Sequence, residues 1–133
     1  MIGRSAVREH VFKLLFESLF YTAEEMTEVE GRYFEDPDRK LDDESRDLIR
    51  DRYGRIYGLL DEIDAMIEEK SEGWKVGRMG KVELSILRLA VYEIRYDDDI
   101  PVGVAINEAV KLAKKYGQEQ AGSFVNGVLA KFA

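Results

Sequence analysis

The spacing of the apolar residues is the feature that most limits what this chain can fold into. Apolar residues recur three and four positions apart, as they do along one side of an α-helix. The first such stripe comprises Val7, Val11, Leu14, Leu15 and Leu19. No segment alternates apolar and polar residues with a period of two for long enough to predict a strand. The sequence therefore predicts an all-α fold, a compact bundle of about six or seven helices.

Capping residues and helix breakers predict where these helices lie. The predicted helices cover residues 5–21, a short stretch near 27–34, residues 42 or 43 to 67, residues 82–94, residues 102–116 and residues 124–132. Gly54 and Gly58 lie inside the third of them, which is therefore predicted to bend or split. Residues 82–94 are apolar on almost every side, which is typical of a central helix surrounded by others. The connector before them is punctuated by glycines and holds the only tryptophan, Trp74.

The composition excludes several kinds of site. The 133 residues include no cysteine and a single histidine, His10. Disulfides, iron–sulfur ligation, a cysteine nucleophile and a zinc site with two or more histidines are therefore excluded. No apolar run approaches the roughly 18–20 residues of a membrane span, and charged residues interrupt the first 20 positions as they do not in a signal peptide. We expect a soluble, cytoplasmic protein that has no membrane partner.

The residues also provide no recognisable catalytic centre. Lys81 follows a glycine-rich stretch but precedes Val82 rather than Ser or Thr, and no predicted strand leads into it, so this is not a phosphate-binding loop. Asp61, Asp64 and Glu68 share one helix side, but without a Glu-x-x-His motif a solvated face is preferred over a di-metal site. We expect no enzyme activity, no catalytic or metal-binding residue and no cofactor.

Charge is distributed unevenly along the chain. The net charge is −7, and residues 21–72 hold 18 acidic and 8 basic groups, whereas the two ends are mildly basic. The overall charge disfavours nucleic acid, but phosphate binding depends on a local basic patch. The acidic segment is interpreted as a solvated surface.

Two features remain that suit a binding surface. A polar strip on the central helix comprises Lys81, Ser85, Arg88, Tyr92 and Arg95. This strip is suited to phosphates, bases or an acidic protein, or else Arg88 and Tyr92 are satisfied internally by carboxylates such as Glu93 or Glu108. Phe124, at the start of the last helix, either stacks on an exposed base or anchors the core. The residues alone leave these alternatives open.

Four blocks in the C-terminal half closely resemble the NusB family of transcription antitermination factors. They are residues 87–93 (LRLAVYE), 100–101 (IP), 104–114 (VAINEAVKLAK) and 123–129 (SFVNGVL). Their order and spacing fit the family, and weaker similarity extends over the whole chain. The resemblance implies a single NusB-like domain over residues 1–133, built from two small helical bundles packed together.

The resemblance also implies a function. NusB-like proteins pair with NusE, a small-subunit ribosomal protein, and bind the boxA element of nascent ribosomal RNA. Together with other Nus factors they act on the RNA polymerase elongation complex to keep transcription processive. Because boxA is single-stranded, contacts to unstacked bases and phosphates are expected.

The family pattern carries over to only some positions. Of the arginine cluster that family members have near the first helix, only Arg4 and Arg8 are present, and Ser123 replaces a frequent basic residue. Phe124 matches an aromatic position associated with RNA, and Glu83 matches an acidic position associated with NusE. The predicted RNA-binding residues are Arg4, Arg8, Arg88 and Phe124, and the predicted partner-binding residues are Glu83 and Tyr92.

Two alternatives belong to other functional classes. The first is a protein-interaction module or homodimer whose intrinsic RNA binding is weakened or lost, which the sparse arginines favour. The second is an RNA-modifying enzyme, because a NusB-like domain also occurs fused to an rRNA cytosine methyltransferase. A chain of 133 residues leaves no room for that catalytic domain.

Overall fold

Helices make up all of the regular structure in this protein. The computed structural model describes residues 1–133 and contains seven α-helices. They are α1 (Arg4–Glu17), α2 (Ala23–Glu35), α3 (Asp43–Gly58), α4 (Leu60–Lys70), α5 (Lys81–Tyr96), α6 (Val102–Tyr116) and α7 (Ala121–Ala130). Short 3-10 turns lie at Pro37–Arg39 and Val76–Arg78. The predicted all-α fold is confirmed. None of the helices combines the length and the apolar character needed to cross a membrane.

Local capping explains where the helix boundaries differ from the prediction. α2 begins four residues before the predicted Thr27, because Thr22 and Glu25 form a capping box in which each side chain accepts the other's backbone N–H. α1 begins at Arg4, one residue before the predicted start, with Gly3 as its N-cap. The long helix predicted from residue 42 or 43 is split, and Leu59 separates α3 from α4.

The chain forms two compact units, Met1–Tyr57 and Gly58–Ala133. The first unit draws its most deeply buried side chains from all three of its helices. They include Val11, Leu14 and Leu15 of α1, Met26 of α2, and Ile49 and Ile56 of α3. Each set follows the helical spacing seen in the sequence. The prediction of one domain over residues 1–133 stays a prediction.

The second unit is organised around α5. Ten consecutive residues of this helix, Leu84 to Glu93, are buried, and α4, α6 and α7 all pack against it. A helix enclosed on several sides needs apolar residues around most of its circumference, which is the pattern seen in the sequence. The prediction that this helix is central is confirmed.

Candidate nucleic-acid interface

A cleft of about 700 Å³ opens in the second unit. It lies between the connector that follows α4, the first turn of α5 and the turn that joins α6 to α7. The side chains that matter for its chemistry are Trp74, Arg78, Lys81, Glu83, Tyr116 and Phe124. We call it the Trp74 cleft.

Hydrogen bonds fix the connector that carries Trp74. The backbone N–H of Val76 donates to Glu68 Oε2 at 2.9 Å, and the Ser71 hydroxyl donates to the Trp74 carbonyl at 2.9 Å. The chain reverses at Gly73, whose φ of +92° is a conformation that glycine adopts without a steric cost. Ser71 is buried, so this turn is anchored in the unit rather than extended into solvent. Trp74 is therefore held in place from both sides.

Trp74 meets Phe124 across the cleft. Their ring centroids lie 6.2 Å apart at an interplanar angle of 68°, an edge-to-face contact. Trp74 is 55% exposed, whereas Phe124, in the first turn of α7, is half-buried. Phe124 is thus neither fully buried in the core nor freely exposed. Its half-buried ring packs against the protein and still leaves part of its surface open to a base.

Both signs of charge line the cleft. Arg78 and Lys81 contribute cations, and Arg78 is exposed and makes no ion pair. Glu83 is half-buried in the first turn of α5, and no hydrogen bond or ion pair holds its carboxylate. The carboxylate lies so close to Gly80 that a Cβ there would overlap it. Gly80 therefore allows Glu83 to fold back along the start of the helix.

Gly117 closes the opposite side of the cleft. A Cβ at this position would lie 2.5 Å from the Ala121 Cβ and 2.8 Å from the Ala113 carbonyl oxygen. Both distances are shorter than a real Cβ contact, so only glycine lets α6 turn this sharply into α7. This close turn places Phe124 beside the connector. Of the predicted site residues, Glu83 and Phe124 are the two that the structure brings together in this cleft.

Arg88 is engaged inside the second unit. Its Nε and Nη2 donate to the two carboxylate oxygens of Asp64 at 2.9 and 2.7 Å, and its side chain is only 9% exposed. This geometry corresponds to the internal pairing that the sequence left open, although the partner is Asp64 rather than Glu93 or Glu108. It argues against the predicted contact between Arg88 and RNA, because the guanidinium is already neutralised and faces protein.

The carboxylates predicted to form a solvated face therefore serve the fold. Asp64 pairs with Arg88, and Glu68 accepts the Val76 N–H, so the prediction is wrong for these two residues. Only Asp61 of the three is exposed. No group of three or more His, Cys, Asp or Glu side chains is arranged to hold a metal ion.

Tyr92, predicted to bind a partner, is also largely buried. It is 8% exposed and stacks on Tyr96 with centroids 5.7 Å apart and an interplanar angle of 17°. Tyr96 is 40% exposed and donates its hydroxyl hydrogen to Glu62 Oε2 at 3.0 Å. At this position Tyr96, and not Tyr92, forms most of the surface.

The remaining predicted residues belong to the first unit. Arg4 is exposed at the start of α1. Arg8, one turn later, is only 5% exposed. The two arginines share a helix face, as their spacing requires, but only Arg4 offers its charge to solvent.

Sequence reasoning did not assign a role to Trp74 or Arg78. The available signal was weak: a lone tryptophan and a nearby arginine in a connector punctuated by glycines. Their relation to Phe124 depends on a contact between residues 50 positions apart, which no local pattern encodes.

Comparison with known proteins identifies relatives over the whole chain. A sequence model of the NusB family matches residues 5–133. The transcription antitermination protein NusB of Agathobacter rectalis is 52% identical over 98% of each chain. That of Lachnoclostridium phytofermentans is 48% identical over 96% of each chain.

Solved structures show the same fold. T. maritima NusB superposes with a TM-score of 0.87 at 36% identity, covering 99% of this chain and 91% of that one. The antitermination factor NusB, in a structure with NusE and double-stranded RNA, superposes with a TM-score of 0.78 at 27% identity and covers 97% of this chain and 94% of that one. The resemblance seen in the sequence is confirmed.

Proposed function

Because this chain belongs to the NusB family, we propose that it acts in transcription antitermination by pairing with NusE and binding the boxA element of nascent ribosomal RNA. One observation carries this function: the family match spans residues 5–133, and a NusB that shares 52% of its residues aligns from end to end. The role is one of binding, with no chemical step assigned to any residue. The protein would act in the cytoplasm, where bacterial RNA is transcribed.

The Trp74 cleft supports the RNA-binding part of the proposal. Proteins that bind single strands combine cations for the phosphates with aromatic rings on which bases stack. The cleft provides Arg78 and Lys81 as cations and Phe124 as a partly exposed ring. Direct RNA contact is therefore assigned to Phe124, as the sequence predicted, and to Arg4, which is exposed in the first unit.

The other predicted RNA-binding residues act indirectly in this proposal. Arg8 and Arg88 are 5% and 8% exposed, and Arg88 holds α5 to α4 through Asp64. A guanidinium that is already paired with a carboxylate would have to give up that pair before it could bind a phosphate. These two arginines are therefore proposed to support the fold beneath the RNA-binding surface.

Glu83 is proposed to contact NusE. Its carboxylate is half-buried and has no partner within the chain, so a basic group of another protein can pair with it. Tyr92 supports the partner surface from below, through its stacking on the exposed Tyr96. Pairing with NusE would then present both proteins to the RNA polymerase elongation complex together with other Nus factors.

The charge distribution predicts how RNA affinity depends on the partner. The net charge is −7, and Arg4 is the only arginine of the N-terminal pair that is exposed. Each phosphate contact that is missing lowers both the affinity and its salt dependence. The isolated protein should therefore bind boxA RNA weakly and bind it more tightly once NusE adds contacts.

A second candidate function is a protein-interaction module or homodimer with little intrinsic affinity for RNA. The burial of Arg8 and the internal pairing of Arg88 favour it, because both remove cations that RNA would need. It differs from the first proposal in one measurable way, since NusE would bind but would not create sequence-specific RNA binding.

A fluorescence anisotropy titration separates the two. Labelled boxA RNA and a scrambled RNA of the same composition are titrated with the protein, with and without NusE, at several salt concentrations. The first proposal predicts a preference for boxA that becomes strong when NusE is present. Equal affinity for both RNAs in all conditions would refute it and leave the interaction module.

A further inference from the structure

We propose that Trp74 is a second base-stacking residue, and that the Trp74 cleft takes one unstacked nucleobase of single-stranded RNA while Arg78 binds an adjoining phosphate. The inference rests on the proposed function and deepens it, because it names the residues that receive the base. It adds Trp74 and Arg78 to the RNA-binding residues predicted from the sequence.

Trp74 is exposed even though its backbone is fixed. The hydrogen bonds from Val76 to Glu68 and from Ser71 to the Trp74 carbonyl hold the connector on both sides of it. Glu72, one residue before the turn at Gly73, forms a 2.8 Å ion pair with Lys131 just after α7. The exposure of the indole is therefore built into the fold and is not the result of a loose loop.

The ring contact leaves a stacking surface open. In an edge-to-face pair, at least one face of one ring is not covered by the other ring. Trp74 remains 55% exposed after its contact with Phe124, whereas Phe124 and Tyr116 are half-buried, so the indole is the most exposed aromatic ring that lines the cleft. Any of the four bases can stack there, because each of them has a π-face.

The cations beside the ring suit the backbone of the same nucleotide. Lys75 is the residue after Trp74, and Arg78 lies in the short 3-10 turn that follows. Both side chains are exposed, and neither forms an ion pair. An exposed ring flanked by unpaired cations matches the combination that single-stranded nucleic acid requires. An apolar protein partner would gain nothing from these two charges.

The size of the cleft suits a nucleotide. Its volume of about 700 Å³ falls within the range of small-molecule sites, roughly 300–1,000 Å³. Arg78 lines the cleft, is exposed and forms no ion pair, so one base with its flanking phosphate at the Arg78 side is the arrangement that the charges favour.

The sole tryptophan makes the test direct. Trp74 is the only indole in the chain, so quenching of its fluorescence reports stacking at this position. The protein, saturated with NusE, is titrated with boxA RNA and, separately, with an oligomer of the same length that lacks bases. The Trp74→Phe complex supplies the baseline, because its tryptophan emission, excited selectively over that of tyrosine, can come only from NusE. We expect quenching by the RNA and none by the abasic oligomer.

Variants test the contribution of the ring to affinity. Stacking of a base on an aromatic side chain corresponds to a change of about 5- to 150-fold in Kd. Trp74→Ala should weaken RNA binding by that factor, and Trp74→Phe should restore most of it. Arg78→Gln should weaken binding and reduce its salt dependence. Tyr21→Ala, which removes an exposed aromatic ring from the first unit, is the matched control and should leave the affinity unchanged.

Each outcome bears on the inference. If labelled RNA binds by anisotropy while Trp74 is not quenched and Trp74→Ala binds as tightly, the inference is wrong and the proposed function stands. If Trp74→Ala weakens pairing with NusE but leaves RNA affinity unchanged, the cleft is a protein-binding surface and the inference is also wrong. If boxA RNA does not bind even with NusE, both the proposed function and the inference are wrong. A circular dichroism melt verifies that each variant is folded.

Discussion

Replacing Arg88 with methionine should destabilise the second unit without lowering the RNA affinity of the folded protein. The guanidinium forms two charge-assisted hydrogen bonds with Asp64, at 2.9 and 2.7 Å, and thereby joins α5 to α4. Methionine fills a similar volume but leaves the Asp64 carboxylate without its partner. The variant therefore tests whether Arg88 acts through the fold or through RNA.

The expected loss follows from the burial of the pair. The two side chains are 9% and 19% exposed, so the unpaired carboxylate would keep limited access to water. Removing one partner of a buried ion pair costs about 3–5 kcal/mol. The partial exposure of Asp64 places the expected loss near the lower end, at about 3 kcal/mol. Replacing both residues, Arg88→Met with Asp64→Leu, should recover most of that loss, because no charge then remains buried.

Urea unfolding followed by Trp74 fluorescence measures this loss, because Trp74 lies in the second unit and reports on it. The two single variants and the double variant form a double-mutant cycle, which isolates the coupling between the two side chains. RNA affinity is then measured with NusE at a temperature where all the proteins are folded.

Two results would refute the reasoning. If Arg88→Met cost less than about 1 kcal/mol, the ion pair would not be supporting the helices. If the double variant were as stable as the original protein but had lost RNA affinity, the guanidinium would be an RNA contact, as the sequence predicts.

Three further predictions concern pairing with NusE, RNA binding and the pH dependence of stability. Glu83→Lys should weaken pairing with NusE by about tenfold or more, because a lysine would repel the basic group that pairs with the carboxylate. Phe124→Asp should weaken RNA binding by about 5- to 150-fold with little effect on pairing. Calorimetry with NusE and anisotropy with RNA separate the two effects. Glu119 is another acidic residue that lines the Trp74 cleft, so Glu119→Lys is the control for charge reversal, and the assignment is wrong if Glu83→Lys and Phe124→Asp impair the same step. His10, whose ring lies against Tyr33 with its Nδ1 2.5 Å from the Tyr33 hydroxyl, has its pKa lowered chiefly by burial. As the pH falls, the unfolded chain therefore binds a proton at His10 before the folded protein does. The stability that the neutral His10 contributes is present above about pH 6.5 and is lost below it. Between about pH 7.5 and 5, the urea midpoint should fall less steeply for His10→Gln than for the original protein, and equal slopes would contradict this account.

The fold follows from the sequence where the deciding forces are local. The apolar character of residues 82–94 on almost every side predicted the central position of α5, and Gly54 and Gly58 predicted the interruption between α3 and α4. The start of α2 lies four residues before the predicted one, although its signal is local: Thr22 and Glu25 have the spacing of a capping box.

The site could be predicted only in part, because its geometry depends on contacts between helices. Helical spacing places Arg88 on a polar strip but does not show which neighbouring helix will face it, and that neighbour supplied Asp64. Phe124 is indicated by its place at the start of the last helix and by the family resemblance, and Glu83 by the family resemblance alone. Neither signal indicates Trp74, since its meaning depends on the tight turn at Gly117 that brings Phe124 beside the connector.

Terminator read-through in a reconstituted transcription reaction tests the central claim most directly. RNA polymerase, NusE and the other Nus factors transcribe a template with boxA upstream of a terminator, with or without this protein. The account predicts that the protein raises read-through, and that the gain disappears when boxA is scrambled or NusE is omitted. Read-through that is unchanged by the protein, or raised equally on the scrambled template, would contradict it.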